Sequence, residues 1–191
     1  IMKPVGKAQG RGIFIITNQN QLINWKNSLK GGQENLVNEL YIAQKYLMNP
    51  LLIGGKKFDL RIYALVTTYN PLTVYFYRTG FARFTSQRYS TNFDEVSNMM
   101  VHLTNVAIQK NSDTYDKVTG GKWDLRSLKI YLYARYGREK VKTLFNDIQD
   151  IVLKSLFAVQ KVIVNDRHCF ELYGYDILID DELKPWLIEI N

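Results

Sequence analysis

Cysteine is nearly missing from this chain of 191 residues: Cys169 stands alone. No internal disulfide can form, which agrees with a reducing compartment. Long apolar runs are also missing. The nearest to one, IVLKSLFAVQKVIV, is interrupted by Lys154 and Lys161 and falls short of the ~18 residues that cross a bilayer. No secretory signal opens the chain, and neither repeats nor low-complexity segments occur. Several nucleotide signatures are missing too: no GxxxxGK[ST] loop, no GxGxxG, and no HRD or DFG of a protein kinase. Acidic residues are in deficit, 18 against 25 Lys and Arg, for a formal charge of +7 and a pI of about 9.3. Such a surface attracts anionic partners, whether nucleic acid, phosphates or acidic protein tails. The aromatics lie mostly in strand-like runs such as VYFYRTGFARF, the pattern of a core and not of a base-stacking platform.

What is present is an ordinary globular mixture, 46% hydrophobic and 23% charged, long enough for one domain with a real core. Residues 1–17 read as strand, glycine-rich loop and strand, and Asn18 to Lys30 as a short helix entered from Asn18 or Asn20, with a break at GGQEN. Leu40 to Leu47 is strand-like. KKFDLRIYALVTTYN and LTVYFYRTGFARF read as two strands about a turn at Asn70–Pro71. Residues 85–121 are polar and irregular, with VHLTNVAIQK as an island of strand character. Leu125 to Gln160 carries helical spacing, broken near Tyr136–Gly137. The end is a β-hairpin turning at Asp180–Lys184. The fold class is α+β.

Three stretches carry candidate chemistry. The last eight residues, KPWLIEIN, form an apolar strand (Trp186, Leu187, Ile188, Ile190) that ends on oxygen donors. Alternation puts Leu187, Glu189 and Asn191 on one face. If Asp176 of the first arm lies opposite Glu189, two carboxylates and an amide oxygen point the same way and repel unless a cation sits between them. Magnesium suits such a set, while an ordinary hairpin with a solvated polar face has the same pattern. The loop GKAQGRG lets backbone N–H groups approach an anion, with Arg11 adding charge and Lys3 standing just before it. In KKFDLR, residues Lys57, Asp59 and Arg61 share a strand face, either solvated and salt-bridged or lining a nucleotide cleft. Arg83 in GFARF offers the fork that clamps a carboxylate. Thr104 and Asn105 in VHLTN suit a polyphosphate or metal-bound water. His102 reads as a strand residue, since nothing in the sequence orients it as a base.

Taken together, KPVGKAQGRGIF, QKYL, GGKKFDLRIY, HLTNVAIQK and YGYDILID…LKPWLIEIN resemble the tubulin tyrosine ligase-like family, in order and spacing across the whole chain, and within it the polyglutamylase branch. The resemblance implies an ATP-grasp fold, with residues 1–191 forming part of the catalytic domain. The N-terminal lobe and a C-terminal extension are expected to lie outside this stretch. It also implies ATP- and Mg2+-dependent ligation of free L-glutamate to glutamate side chains of tubulin tails by way of an acyl phosphate. By that resemblance Lys3, Gln9, Gly10, Arg11 and Gly12 would hold phosphates, and Gln44, Lys45, Tyr46 and Leu47 would line the adenine slot. Lys57 and Asp59 would reach the nucleotide, and Arg61 would lie beside the reacting phosphate, Lys57 and Arg61 being the catalytic pair. Arg83 would hold the amino acid's carboxylate, Thr104 and Asn105 would complete that pocket and Lys122 would add a contact. Asp176, Glu189 and Asn191 would bind magnesium. The expected partners are the acidic tails of tubulin and microtubules, with accessory subunits possible and with neither nucleic acid nor membrane. The expected location is the cytoplasm and cytoskeleton, at a ciliary or flagellar axoneme or basal body. A glycine or tyrosine ligase of the same fold, or a silent tubulin-binding module, are the alternatives.

Overall fold

The computed structural model describes residues 1–30, 39–92, 95–166 and 168–191; the break expected at Gly31–Asn35 lies outside them. Its centre is an antiparallel sheet with strand order β6-β5-β4-β7-β8. These strands are β4 (Lys56–Tyr69), β5 (Leu72–Phe84), β6 (Lys122–Asp124), β7 (Glu171–Ile179) and β8 (Pro185–Ile190), and β3 (Leu52–Ile53) pairs with the start of β4. A separate two-stranded sheet pairs β1 (Met2–Pro4) with β2 (Tyr41–Ala43). Helix α1 (Gln19–Lys30) packs on it through Trp25, whose ring meets Phe14 and Tyr41. Asn18 begins that helix by accepting a bond from the Gln21 amide at 3.0 Å, as an N-cap residue does.

One face of the large sheet is apolar. Along β4 the even-numbered Phe58, Leu60, Ile62, Ala64 and Val66 are buried. They pack with Leu125, Leu128 and Leu132 of α4 (Leu125–Tyr136) and with Val141, Leu144, Ile148, Val152 and Leu156 of α5 (Arg138–Val159). The three- and four-residue spacing on both helices makes the stripe that the sheet covers. Gly137 separates them at φ +84°, a conformation that glycine adopts without Cβ strain. The helical spacing and its break are therefore both present, and the mixed helix-and-sheet content matches α+β. Among the described residues no helix is long and apolar enough to cross a membrane.

The strand expected over Leu40–Leu47 is confined to Tyr41–Ala43, and the second strand of residues 1–17 to a single Met2–Phe14 bridge. Three further expectations need correction. VHLTNVAIQK is not a strand: it holds two short helices, α2 (Met99–His102) and α3 (Val106–Gln109). The Asn98 side chain accepts from the Met100 amide to start the first. Buried Gln109 then bonds the Ser86 amide and the carbonyls of Met100 and Leu103, fixing the segment from within. Second, simple alternation fails in β8. Asp176 pairs with Glu189 but Ile177 pairs with Leu187, so Ile188 is an extra residue. A bulge of this kind reverses the facing of the residues beyond it, and Leu187 packs on the core while Glu189 does not. Third, the apolar terminal strand, expected to bury Trp186, Leu187, Ile188 and Ile190, leaves Trp186 39% and Ile190 42% exposed, with the Trp186 indole N–H donating to Asp180 at 2.9 Å.

Candidate active site

The opposite face of the sheet is charged. The odd-numbered residues of β4 include Lys57 and Asp59, each only 6% exposed, and Arg61. Burying such groups is costly unless they are paired, and the register supplies the pairs. Asp59 lies opposite Arg83 on β5, and Arg61 opposite Asp176 on β7. Arg83 Nε donates to Asp59 Oδ1 at 2.9 Å and Nη2 to the second oxygen. The same Nη2 reaches Asp176 Oδ2 at 2.9 Å. Arg61 closes the row, with Nε 2.5 Å from Asp176 Oδ1 and Nη2 3.1 Å from Oδ2. The result is an alternating chain, Asp59–Arg83–Asp176–Arg61. Burial pushes the Asp59 carboxyl up, opposed by the bonds from Arg83. Desolvation disfavours the Arg83 charge, yet its bonds to Asp59 and Asp176 outweigh that and hold it protonated.

Two glycines make this row possible. A Cβ on Gly80 would sit 2.5 Å from the Arg61 carbonyl oxygen, and one on Gly174 would meet Arg61 Cδ at 3.1 Å. Gly174 leaves the space in which the guanidinium crosses β7, a requirement that only the neighbours reveal.

The hairpin brings its donors together. Asp176 is the cross-strand partner of Glu189, and Gly174 and Asn191 exchange both backbone bonds, at 2.8 and 2.9 Å. The Asn191 amide nitrogen also donates to the Gly174 carbonyl, at 3.3 Å, which leaves the side-chain oxygen as the available donor atom. Lys3 of the small sheet lies within electrostatic reach: burial lowers its pKa, while Glu189 and Asp176 oppose that shift. Among the described residues no cluster of three His, Cys, Asp or Glu side chains is placed to hold a metal. The candidate set is instead two carboxylates and an amide oxygen, hard donors of the kind magnesium takes, with water and phosphate completing its shell. Both Asp176 oxygens presently accept from arginine.

At the other end of the row Lys57 Nζ donates to the Tyr46 hydroxyl at 3.0 Å and to the His102 carbonyl at 2.9 Å. Tyr46 lies 2.9 Å from His102 Nδ1, and His102 Nε2 lies 2.9 Å from the Glu95 carbonyl. With Nε2 donating to that carbonyl, Nδ1 accepts from the tyrosine, whose oxygen then accepts from the lysine. His102 is thus oriented on both sides, which its motif did not indicate. Burial lowers its pKa, as does the nearby Lys57 charge. Burial also pushes Lys57 down to about 8, despite Asp59.

The remaining predicted residues are placed less tightly. Thr104 stands near Asp59 and favours its ionised form. Asn105 precedes α3 and stands against the glycine loop, for a Cβ on Gly10 (φ +80°) would lie 3.2 Å from its Oδ1. Gln9 and Gly12 also have positive φ, and Arg11 is exposed. Gln44 and Lys45 expose their side chains, although the Gln44 backbone exchanges bonds with Ile1, at 2.9 and 2.8 Å. Leu47 is half-buried. Lys122 is the strand partner of Arg83 and holds its Nζ 4.8 Å from the Phe81 ring.

Comparison with known proteins gives a consistent picture. The model of the tubulin-tyrosine ligase family matches residues 1–191. A probable alpha-tubulin polyglutamylase, Ttll1, of Tetrahymena thermophila is 51% identical over 197 residues, covering all of this chain and 47% of that protein. A probable tubulin polyglutamylase, TTLL9, of Bos taurus is 46% identical over 219 residues, again covering the whole chain and 47% of the relative. The human tubulin polyglutamylase TTLL5 is 38% identical over 206 residues, of which the match takes in 15%. The chain thus spans about half the length of the first two.

Proposed function

The chain belongs to the tubulin-tyrosine ligase family, and on that premise we propose that it carries the catalytic centre of an ATP- and magnesium-dependent tubulin polyglutamylase with an ATP-grasp architecture. The observation that carries this reading is the pairing of Asp176 with Glu189, next to Asn191 and within electrostatic reach of Lys3, beside the Asp59–Arg83–Asp176–Arg61 row. In the proposed reaction the γ-carboxylate of a tubulin glutamate attacks the terminal phosphorus of ATP, forming an acyl phosphate and releasing ADP. The amino group of free glutamate then attacks the acyl carbon, expelling phosphate and a proton as the isopeptide bond forms. No enzyme nucleophile is needed, and the exposed Cys169 takes no part. Magnesium, when bound, neutralises triphosphate charge, and Asp176, Glu189 and Asn191 are the residues that would hold it.

The other side chains bind and orient. Lys57, aimed by Tyr46 and the His102 carbonyl, and Lys3 would meet phosphate oxygens, and Arg61 would stabilise charge on the transferring group. Arg83 spends Nε and Nη2 on Asp59 and Asp176, which leaves Nη1 for the carboxylate of the incoming amino acid. The bidentate bond to Asp59 fixes that guanidinium before substrate arrives. Gln9–Gly12, Gln44–Leu47, Thr104, Asn105 and Lys122 complete the nucleotide and amino-acid pockets. A tubulin substrate places the enzyme at the cytoskeleton, with ciliary or flagellar axonemes and accessory subunits as part of the same proposal.

The depressed Lys57 pKa gives this reading a pH signature. A neutral lysine cannot neutralise phosphate, so kcat/KM for ATP, which reports free-enzyme ionisations, is expected to fall as pH rises through about 8. Lys57→Arg, protonated throughout, should lose that alkaline limb even where its maximal rate is lower. The amino acid is tested directly by incubating the full-length protein with tubulin, ATP, magnesium and radiolabelled glutamate, glycine or tyrosine in turn. Incorporation of glutamate alone is expected. Incorporation of glycine or tyrosine instead would replace the proposed substrate, and ATP-independent tubulin binding without incorporation would indicate a silent module.

A further inference from the structure

At the edge of the large sheet, where β6 stops pairing with β5, a groove of about 390 Å3 opens between β5 and α4. Strand β5 bulges there. Ile62 pairs with Gly80 but Ala64 pairs with Phe76, so Tyr77, Arg78 and Thr79 together face the single residue Tyr63. The bulge gives Arg78 and Thr79 to one wall of the groove, and Arg126, Lys129, Ile130 and Tyr133 of α4 form the other. Those four recur at i, i+3, i+4 and i+7, one helix face, distinct from the Leu125, Leu128 and Leu132 stripe that faces the core.

This second stripe differs from an ordinary solvated face because cations and apolar groups are interleaved on it. Arg78 and Arg126 are exposed and form no ion pair among the described residues. Ile130 is 59% exposed and Tyr133 41%. Lys129 rests its Nζ 4.2 Å from the Phe145 ring. The acid on the rim, Asp124, is occupied: its carboxylate accepts from the Ser127 amide at 2.8 Å and hydroxyl at 2.7 Å, capping α4. Two exposed guanidinium groups over an apolar floor complement an extended anionic chain that carries a bulky apolar side chain.

We propose that this groove docks an acidic peptide segment, the stretch of the substrate tail flanking the glutamate being modified. The assignment of that peptide to a substrate rests on the polyglutamylase reading above. Carboxylates pair with Arg78 and Arg126, while an aromatic or aliphatic residue covers Ile130 and Tyr133. The groove opens at the β6 edge of the sheet, on the side where α4 packs, while Arg83 lies on the charged face across that edge. Asp124 on its rim and Lys122 beside Arg83 lie on the same face of β6, two residues and so about 7 Å apart. An extended acidic peptide that crosses this edge can occupy the groove and carry a neighbouring glutamate toward the amino acid held at Arg83. Docking of this kind sets affinity and position for the tail and leaves the chemical step untouched.

The test uses fluorescence anisotropy of a labelled glutamate-rich peptide containing one tyrosine, titrated with the full-length protein. Reversing two rim charges in R78E/R126E should raise its Kd about tenfold or more, a change of ~1.4 kcal/mol or more, whereas R78K/R126K should bind nearly as wild type. In the ligation assay the reversed variant should show a raised KM for tubulin with kcat and the KM for ATP retained, and added salt should narrow the difference. Circular dichroism checks the fold, and should R78E/R126E unfold, Arg126→Gln alone serves the same comparison. Equal peptide affinity in folded wild type and reversed variant overturns the proposal, as does a wild type that does not bind the peptide. Preferential binding of a single-stranded oligonucleotide of equal charge overturns it too. If no amino acid is ligated yet the reversed variant loses the peptide, the polyglutamylase reading fails and the groove stands. If glutamate is ligated with an unchanged KM for tubulin, the groove fails and that reading stands.

Discussion

Replacing Glu189 by glutamine is expected to reduce glutamate ligation by about 100-fold or more, the typical cost of removing one preorganised electrostatic group from a reaction centre. The substitution keeps the shape and one oxygen of the side chain but exchanges the other for an amide nitrogen, so it removes the charge and one ligating atom. Glu189 is exposed and faces Asp176 across the hairpin, and its charge acts on Lys3 without belonging to the buried row of ion pairs. The thermal midpoint should therefore stay within a degree or two of wild type, because surface changes away from buried networks usually shift stability by no more than about 0.5 kcal/mol. Magnesium-dependent nucleotide binding, measured by calorimetry, should weaken in parallel with activity. Near-normal incorporation of glutamate by this variant would remove the hairpin from the chemistry.

Arg83→Leu is expected to damage both stability and activity, for separable reasons. Asp59 is buried and takes two bonds from Arg83. Removing one partner of a buried ion pair leaves an uncompensated charge, at a typical cost of about 3–5 kcal/mol, a large part of the roughly 5–15 kcal/mol that holds a domain together. Denaturant unfolding should show a loss of that order. The double variant Asp59→Asn/Arg83→Leu removes both charges and should recover much of the stability, a coupling that a double-mutant cycle measures. Ligation should remain lost in the double variant, since Arg83 is the proposed anchor of the amino-acid carboxylate. Additive destabilisation would show that the pair does not act as one unit.

Much of this arrangement could be read from the chain. The charged and apolar alternation in KKFDLRIYALV announces a strand, and the terminal hairpin sets Asp176 opposite Glu189, the pairing that the magnesium reading took as its condition, although a bulge supplies it. The Leu125–Gln160 spacing gives two helices and their glycine break. The features that escaped it depend on neighbours distant in sequence. Val, Ile and Thr give VHLTNVAIQK strand character because they favour pleated surfaces. Helices of one turn show no periodicity against that signal, and the Asn98 cap and the buried Gln109 amide decide the outcome. The bulge at Ile188 cannot be seen in one strand, because it exists only relative to β7. Arg83 looked like a free carboxylate clamp, but the register between β4 and β5 also gives it Asp59. Gly174 reads as an ordinary strand glycine until Arg61 is found lying across it, and His102 lacked a visible orienting group because Tyr46 is 56 residues away.

The most direct test is tandem mass spectrometry of a tubulin tail peptide after incubation of the full-length protein with glutamate, ATP and magnesium. The expected product carries glutamate attached through the γ-carboxyl of a tail glutamate, and none should form when magnesium is chelated or when Glu189→Gln replaces the wild type. An unmodified peptide under all conditions, or the same product formed without a divalent cation, would contradict a magnesium-anchored ligase centre at this hairpin.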